Sequence, residues 1–159
     1  MTTNILNKID PLWSIVCSST IVDKDTNGIS LINIIERLKI TITANVDIEK
    51  KKEKIGWYTT PINLRVVSHF YRKEEGTDLS FNFQLLVVDP DNKVLGSKAE
   101  GSLAFPKNLI NLRMIAALNG LPVTKSGTYY IVVRMKDVGE TDYMEIRRIP
   151  VEIDITVKR

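Results

Sequence analysis

A single cysteine, Cys17, excludes an intramolecular disulfide, and with a single histidine, His69, the chain is short of the nitrogen and sulfur ligands a conventional structural zinc site needs. No window approaches the roughly 18 consecutive apolar residues of a membrane span. The N-terminus lacks the charged start and apolar core of a signal peptide, so the expected location is cytoplasmic. There is no G-x-S-x-G elbow, Walker loop or G-x-G-x-x-G, so neither a serine nucleophile nor a nucleotide cradle has a motif behind it, and no cofactor is expected. Neither charge sign dominates. Lys and Arg number 22 against 19 Asp and Glu, divided 11 to 10 over residues 1–80 and 11 to 9 over residues 81–159. Nucleic-acid binders concentrate positive charge on one face or tail, and this balance argues against that class.

What the chain does have is a run of strands divided by polar turns. Its 159 residues, 43% hydrophobic and 26% charged, suit one globular domain that buries roughly 70% of its unfolded surface. Residues 79–88 show the cleanest period of two: Leu79, Phe81, Phe83, Leu85 and Val87 share one face, and Leu86 and Val88 make the far end apolar on both. That strand runs into Asp89-Pro90-Asp91-Asn92, where proline presets φ and the Asx side chains bond the turn backbone, so a tight hairpin is expected. Residues 13–22, rich in β-branched side chains, and residues 61–71 read as strands, and alternation like that of 79–88 marks residues 129–135 and 151–157. Residues 29–43 and 109–123 suit either helix or strand, and the first is expected to be two strands with a joint at Glu36–Arg37. Residues 1–11 form a polar lead-in, and residues 45–60 a long irregular connection, solvated or briefly helical. Short turns without intervening helices favour an all-β antiparallel sandwich of seven to nine strands, immunoglobulin-like or C2-like.

Two acidic turns and one lysine run are the candidate ligand sites. Asp23-x-Asp25-x-Asn27-Gly28 copies the first half of an EF-hand loop, but the twelfth position, which needs a bidentate Glu, is Ile34. A hairpin turn accounts for the same residues. If this turn shared one end of the sandwich with Asp89 and Asp91, the four aspartates and Asn27 would converge as in calcium-dependent lipid-binding C2 domains. Lys50, Lys51 and Lys52 make a local positive spot suited to an anion, or else a solvated face. Cys17, in the apolar run Ile15-Val16-Cys17, is expected to be a buried, inert thiol. His69 lies on an alternating strand, where a half-buried or surface side chain is expected rather than a general base. Phe70-Tyr71-Arg72-Lys73 has the composition to stack a base, but Glu74-Glu75 cancels the charge.

Three segments together carry a family resemblance: I-V-C-S-S-T-I-V-D-K-D-T-N-G-I-S-L-I-N-I-I-E-R-L at residues 15–38, L-L-V-V-D-P-D-N-K-V-L at 85–95, and L-N-G-L-P-V-T-K-S-G-T-Y-Y-I-V-V-R-M at 118–135. In that order they resemble a family of small bacterial proteins, a domain of unknown function, that reads D-x-x-G-K-x-S-L-I-G-I-F, then V-D-P-D-G-K, then G-x-Y-x-F before a last strand. The likeness spans roughly residues 13–157. It departs at Asn92, where the family usually has glycine, and in the lysine-rich segment 49–54. The resemblance implies an all-β bacterial protein and brings no catalytic residues with it.

These observations lead to the expectation of a non-enzymatic binding or assembly module that holds a protein partner, or a second copy of itself, at a sheet edge or end loop. The strand carrying Tyr130, Val132 and Arg134 and the last strand are the expected edges. A calcium- or anion-dependent ligand-binding sandwich is the alternative.

Overall fold

The structure, a computed structural model, describes residues 5–73 and 76–158. Among the described residues there are nine strands: β1 (Ile9–Val22), β2 (Ile29–Ile34), β3 (Arg37–Thr43), β4 (Tyr58–Arg72), β5 (Leu79–Val88), β6 (Val94–Phe105), β7 (Asn111–Val123), β8 (Gly127–Asp137) and β9 (Met144–Lys158). One helix, α1 (Val46–Ile55), joins β3 to β4. The strands form two sheets, β2-β1-β4-β7 and β3-β9-β8-β5-β6. The all-β class holds, and the strand count is at the upper end of the range expected.

The pairing is not wholly antiparallel, because β3 runs parallel to β9. The chain changes sheets between β2 and β3. Ile35 N–H donates to the Val16 carbonyl on the first sheet, at 2.8 Å, and Glu152 N–H on the second donates to the Glu36 carbonyl, at 2.9 Å. The joint expected at Glu36–Arg37 is this corner.

Between the sheets lies the core. It takes the inward faces of β5 (Leu79, Phe81, Phe83, Leu85, Val87) and β8 (Tyr129, Ile131, Val133, Met135), with Val66 and Phe70 of β4 opposite. The far end of β5 is covered on both sides as expected. Leu86 and Val88 join Val132 and Tyr130 in a smaller apolar cluster on the outer face of the five-stranded sheet.

The lead-in and the irregular connection both need correction. Residues 1–4 lie outside the described residues, but Ile5 and Ile9 are buried in the core, and Lys8 pairs with Asp137 at 2.8 Å. Residues 45–60 are not a long irregular connection: they hold the brief helix that is the alternative to a solvated loop, followed by the start of β4. Asn45 caps α1 by accepting the Ile48 N–H at 2.9 Å, Asp47 and Glu49 lie in the first turn, and Lys52 and Lys54 lie in the last. That charge order complements the helix dipole. Gly56, at φ 88°, closes the helix by donating to the Lys52 carbonyl. No residue of the helix is buried, so an apolar stripe was never there to be read. Strand β4 then starts three residues before Pro61, and a register shift between Thr60 and Asn63 spans the proline.

The four-stranded sheet curls on itself. Arg113 on β7 donates to the Asn27 carbonyl (3.1 Å) and to its Oδ1 (3.0 Å), which fastens the tip of the β1–β2 hairpin to β7 across the intervening β4. Arg113 is in register with His69, on the sheet face turned away from the core. Cys17 and Val67 lie on that face and are still fully buried.

Candidate functional site

The edge strands β6 and β7 face each other along one flank of the molecule, and the space between them is a cleft of about 420 Å³. It is open because its walls carry little side chain: Gly96 and Ala99 on β6, Ala117 and Gly120 on β7. Its floor is apolar, formed by the buried Val87 and Leu118. At Gly96 (φ 68°) the two edges nearly touch, since a Cβ there would lie 3.2 Å from Pro122 Cγ. Trp57, the second residue after α1, lines the cleft, and Lys98 is the single charged residue among those lining it. The volume falls within the range typical of ligand pockets.

Trp57 also lines two further hollows. One, of about 370 Å³, includes Asp89, Asp91, Lys93 and Thr124; the other, of about 130 Å³, includes Lys51, Lys52 and Tyr58. The α1–β4 junction thus stands among three depressions at one end of the sandwich.

A buried tyrosine holds this end in shape. Tyr129 is fully buried, and its hydroxyl donates to the Lys125 carbonyl at 2.8 Å while accepting the Thr124 N–H at 2.8 Å. Thr124 Oγ1 in turn lies 3.3 Å from Asp89 Oδ2. The other Asp89 oxygen, Oδ1, accepts the Asp91 and Lys93 N–H groups at 2.9 and 2.8 Å. Asn92 takes the left-handed φ of 62° that closes this turn. Lys125 bonds Asp91 at 2.6 Å, which holds the Asp91 carboxyl below its usual range and pushes the Lys125 ammonium up.

The two acidic turns do not meet. Asp23 Oδ1 accepts the Asp25 and Thr26 N–H groups, both at 2.8 Å, and those bonds, Thr26's foremost, depress its pKa. This turn is fastened through Asn27 to Arg113 near the start of β7, whereas the Asp89 turn adjoins Thr124, just beyond its end. Eleven residues of strand at about 3.3 Å each separate the two levels by roughly 35 Å. Asp23, Asp25 and Asn27 therefore share one place, and Asp89 and Asp91 another. Among the described residues, no group of three or more His, Cys, Asp or Glu side chains is arranged to hold a metal ion.

Lys50 and Lys51 are exposed on α1, while the Lys52 ammonium lies 4.7 Å from the centre of the Tyr58 ring, whose hydroxyl bonds Glu49 at 3.1 Å. Burial raises the pKa of the Cys17 thiol. His69 packs edge-on against Trp13, with ring centres 5.3 Å apart. Trp13 is its register partner and Cys17 lies four residues further along β1, so about 13 Å of strand separates Cys17 from His69. The expected edges are misplaced. Strand β8, with Tyr130, Val132 and Arg134, lies between β9 and β5, and β9 lies between β3 and β8. The true edges are β2, β7, β3 and β6.

No family model matches the chain, and no curated protein matches it. Among solved structures it is similar to one described as "X-ray structure of Northeast Structural Genomics Consortium target SoR45", at 12% identity over 92% of this chain and 88% of that one, with a TM-score of 0.37. Overlap at that level does not distinguish one two-sheet β architecture from another. Among the described residues no helix is long and apolar enough to cross a membrane.

Proposed function

We propose that the chain is a non-enzymatic binding module, bacterial and cytoplasmic, that holds an extended segment of a protein partner in the cleft between β6 and β7. The observation that carries this reading is the coincidence of two unpaired strand edges, an apolar floor and an aromatic rim in one place. Away from the bulge at Gly96 on β6 and from Gly120 and Pro122 on β7, the strand edges offer backbone hydrogen bonds to an added segment, and the floor accepts alternate side chains. Lys98 at the rim, with no acidic residue among the cleft's lining, favours a segment that places a carboxylate beside a small apolar side chain. Separation of the two acidic turns by the length of β7 is the reason to prefer a protein segment over calcium as the ligand.

The finer architecture is read here as immunoglobulin-like. Strands β1, β4 and β7 follow the order of A, B and E, and β9, β8, β5 and β6 follow the order of G, F, C and C′. Tyr129, near the start of the F-like strand, bonds backbone four residues upstream, as the tyrosine corner of such folds does. On this reading the β1–β2 hairpin is an elaboration of the first strand.

The test is selection of displayed random peptides on the immobilised chain, followed by affinity measurement on the parent, Lys98→Glu and Ala117→Arg. Enriched peptides are expected to share an acidic residue next to a small apolar one and to bind both variants at least about tenfold more weakly. Peptides that bind both variants as tightly as the parent, or a selection that enriches nothing, would overturn the reading.

A further inference from the structure

Two-layer β folds leave the outer face of each sheet to water, and that face is normally polar. On the five-stranded sheet only part of the outer face is polar. Register places Ser102 beside Asn82, and Glu100, Gln84, Arg134 and Glu145 in one row across β6, β5, β8 and β9. The neighbouring rows are apolar. Leu86 opposes Val132, and Val94, Val88 and Tyr130 lie side by side. Leu86, Val88 and Val132 are all buried, although they lie outside the main core.

Where the polar and apolar rows meet, the surface is dished into a hollow of about 280 Å³. Leu86, Val88 and Val132 form its floor, and Val94, 50% exposed, stands at one side. Two guanidiniums line it, each fixed by its own partners. Arg148, in register with Val132, lies over the Tyr130 ring at 5.2 Å and donates to both Glu145 carboxylate oxygens at 2.9 Å. Arg134 donates from Nη2 to the Tyr143 carbonyl at 2.9 Å, with the Tyr143 ring 6.0 Å away. The other N–H groups of Arg134 have no acceptor among the described residues, and it makes no ion pair with them; Glu145, its register partner, turns both oxygens to Arg148 instead. The charged residues lining the hollow are Arg134, Arg148 and Glu145, an excess of one positive charge.

We propose that this hollow binds a small carboxylic acid in its ionised form, its hydrocarbon body on Leu86, Val88 and Val132 and its carboxylate on the open N–H groups of Arg134. A guanidinium presents paired donors that match the two oxygens of a carboxylate, and beside an apolar floor that contact is weakly screened by water. One excess positive charge suits a monoanion, and Glu145 disfavours a second negative charge. The volume lies just below the usual range for drug-sized ligands, which limits the occupant to a compact molecule. The hollow shares no lining residue with the cleft at β6 and β7, so the proposal is independent of the binding of a protein segment there.

Amide chemical-shift titration of the whole chain tests this, with cyclohexanecarboxylate as the probe and cyclohexylmethanol as its uncharged counterpart. The carboxylate is expected to saturate with a dissociation constant on the order of 1 mM, moving the amides of Leu86, Val88, Val132 and Arg134, and the alcohol to bind at least about tenfold more weakly. Arg134→Gln is expected to weaken the carboxylate at least about tenfold and to leave the alcohol unchanged. Val94→Glu sets a negative charge on the exposed wall and is expected to weaken both probes. Melting by circular dichroism checks the folding of each variant, and Val94→Glu still reports if Arg134→Gln fails to fold. No saturable shift at about 20 mM carboxylate, equal affinity for the alcohol, shifts confined to the cleft around Ala117, or an affinity unchanged in either folded variant would overturn the proposal. Peptide binding in the cleft is expected to be the same in the parent and in Arg134→Gln, so the two proposals fail separately.

Discussion

Replacing Tyr129 by Phe removes one oxygen atom and leaves a fully buried ring in place. That oxygen donates to the Lys125 carbonyl and accepts the Thr124 N–H, each at 2.8 Å, with a longer bond from the Lys125 N–H at 3.2 Å. The two short bonds are worth about 1 kcal/mol each, and the half-buried corner gives their partners limited access to water, so the expected loss is about 2 kcal/mol. For a chain of this size that corresponds to a fall in Tm of roughly 4–8 °C. Urea denaturation followed by circular dichroism should show a lower midpoint with an unchanged slope, since the surface exposed on unfolding is the same. Tyr130→Phe is the internal control. Its ring lies on the opposite face of β8 under the Arg148 guanidinium, 5.2 Å away, and its loss is expected to stay below about 0.5 kcal/mol. Equal losses in the two variants, or a Tyr129→Phe protein as stable as the parent, would refute the corner as the device that holds the β7–β8 turn.

Three further outcomes follow from the same structure. A Cβ on Gly101 would lie 2.5 Å from the Phe83 ring, so Gly101→Ala is expected to lower stability by about 1–3 kcal/mol, measured as a shift in urea midpoint. Arg72 is buried and donates to the carbonyls of Leu109 (2.9 Å), Thr77 (2.6 Å), Pro106 (2.7 Å) and Phe105. Arg72→Met strands those acceptors and should lower stability by at least about 3 kcal/mol in the same assay. The folded-state pKa of Asp23 is depressed by the Thr26 and Asp25 N–H groups, so the stability it contributes is full above about pH 5 and is lost as pH falls through the lowered value. The Tm gap between parent and Asp23→Asn should therefore be widest near neutral pH and close towards pH 2, and a gap constant over that range would contradict the assignment.

Features encoded within a few residues were legible in advance. The alternation of Leu79 to Val88 located the central strand, and Asp89-Pro90-Asp91-Asn92 located its turn, because side-chain parity and turn chemistry are local properties. Helix α1 was legible only as one of two readings, for a physical reason. It buries nothing, so its evidence lay only in Asn45, Gly56 and the order of its charges. The parallel pairing of β3 with β9 joins residues more than a hundred positions apart, and local pattern says nothing about it. The same holds for which strands become edges: Tyr130, Val132 and Arg134 alternate like any strand, and only the sheet order places them inside. The cleft was the least legible feature. It is made by small residues missing bulk on two strands that meet only in the fold, and Trp57 stood in a stretch that reads as loop.

The claim that the β6–β7 cleft receives an extended protein segment is tested most directly by mapping amide chemical shifts of the chain on adding a selected peptide. Perturbations should concentrate at Trp57, Lys98 and residues 117–121, with new hydrogen-exchange protection along β7 or β6. Perturbations centred instead on the outer face around Tyr130 and Arg148, or on β2, with Trp57 and β7 unmoved, would contradict it.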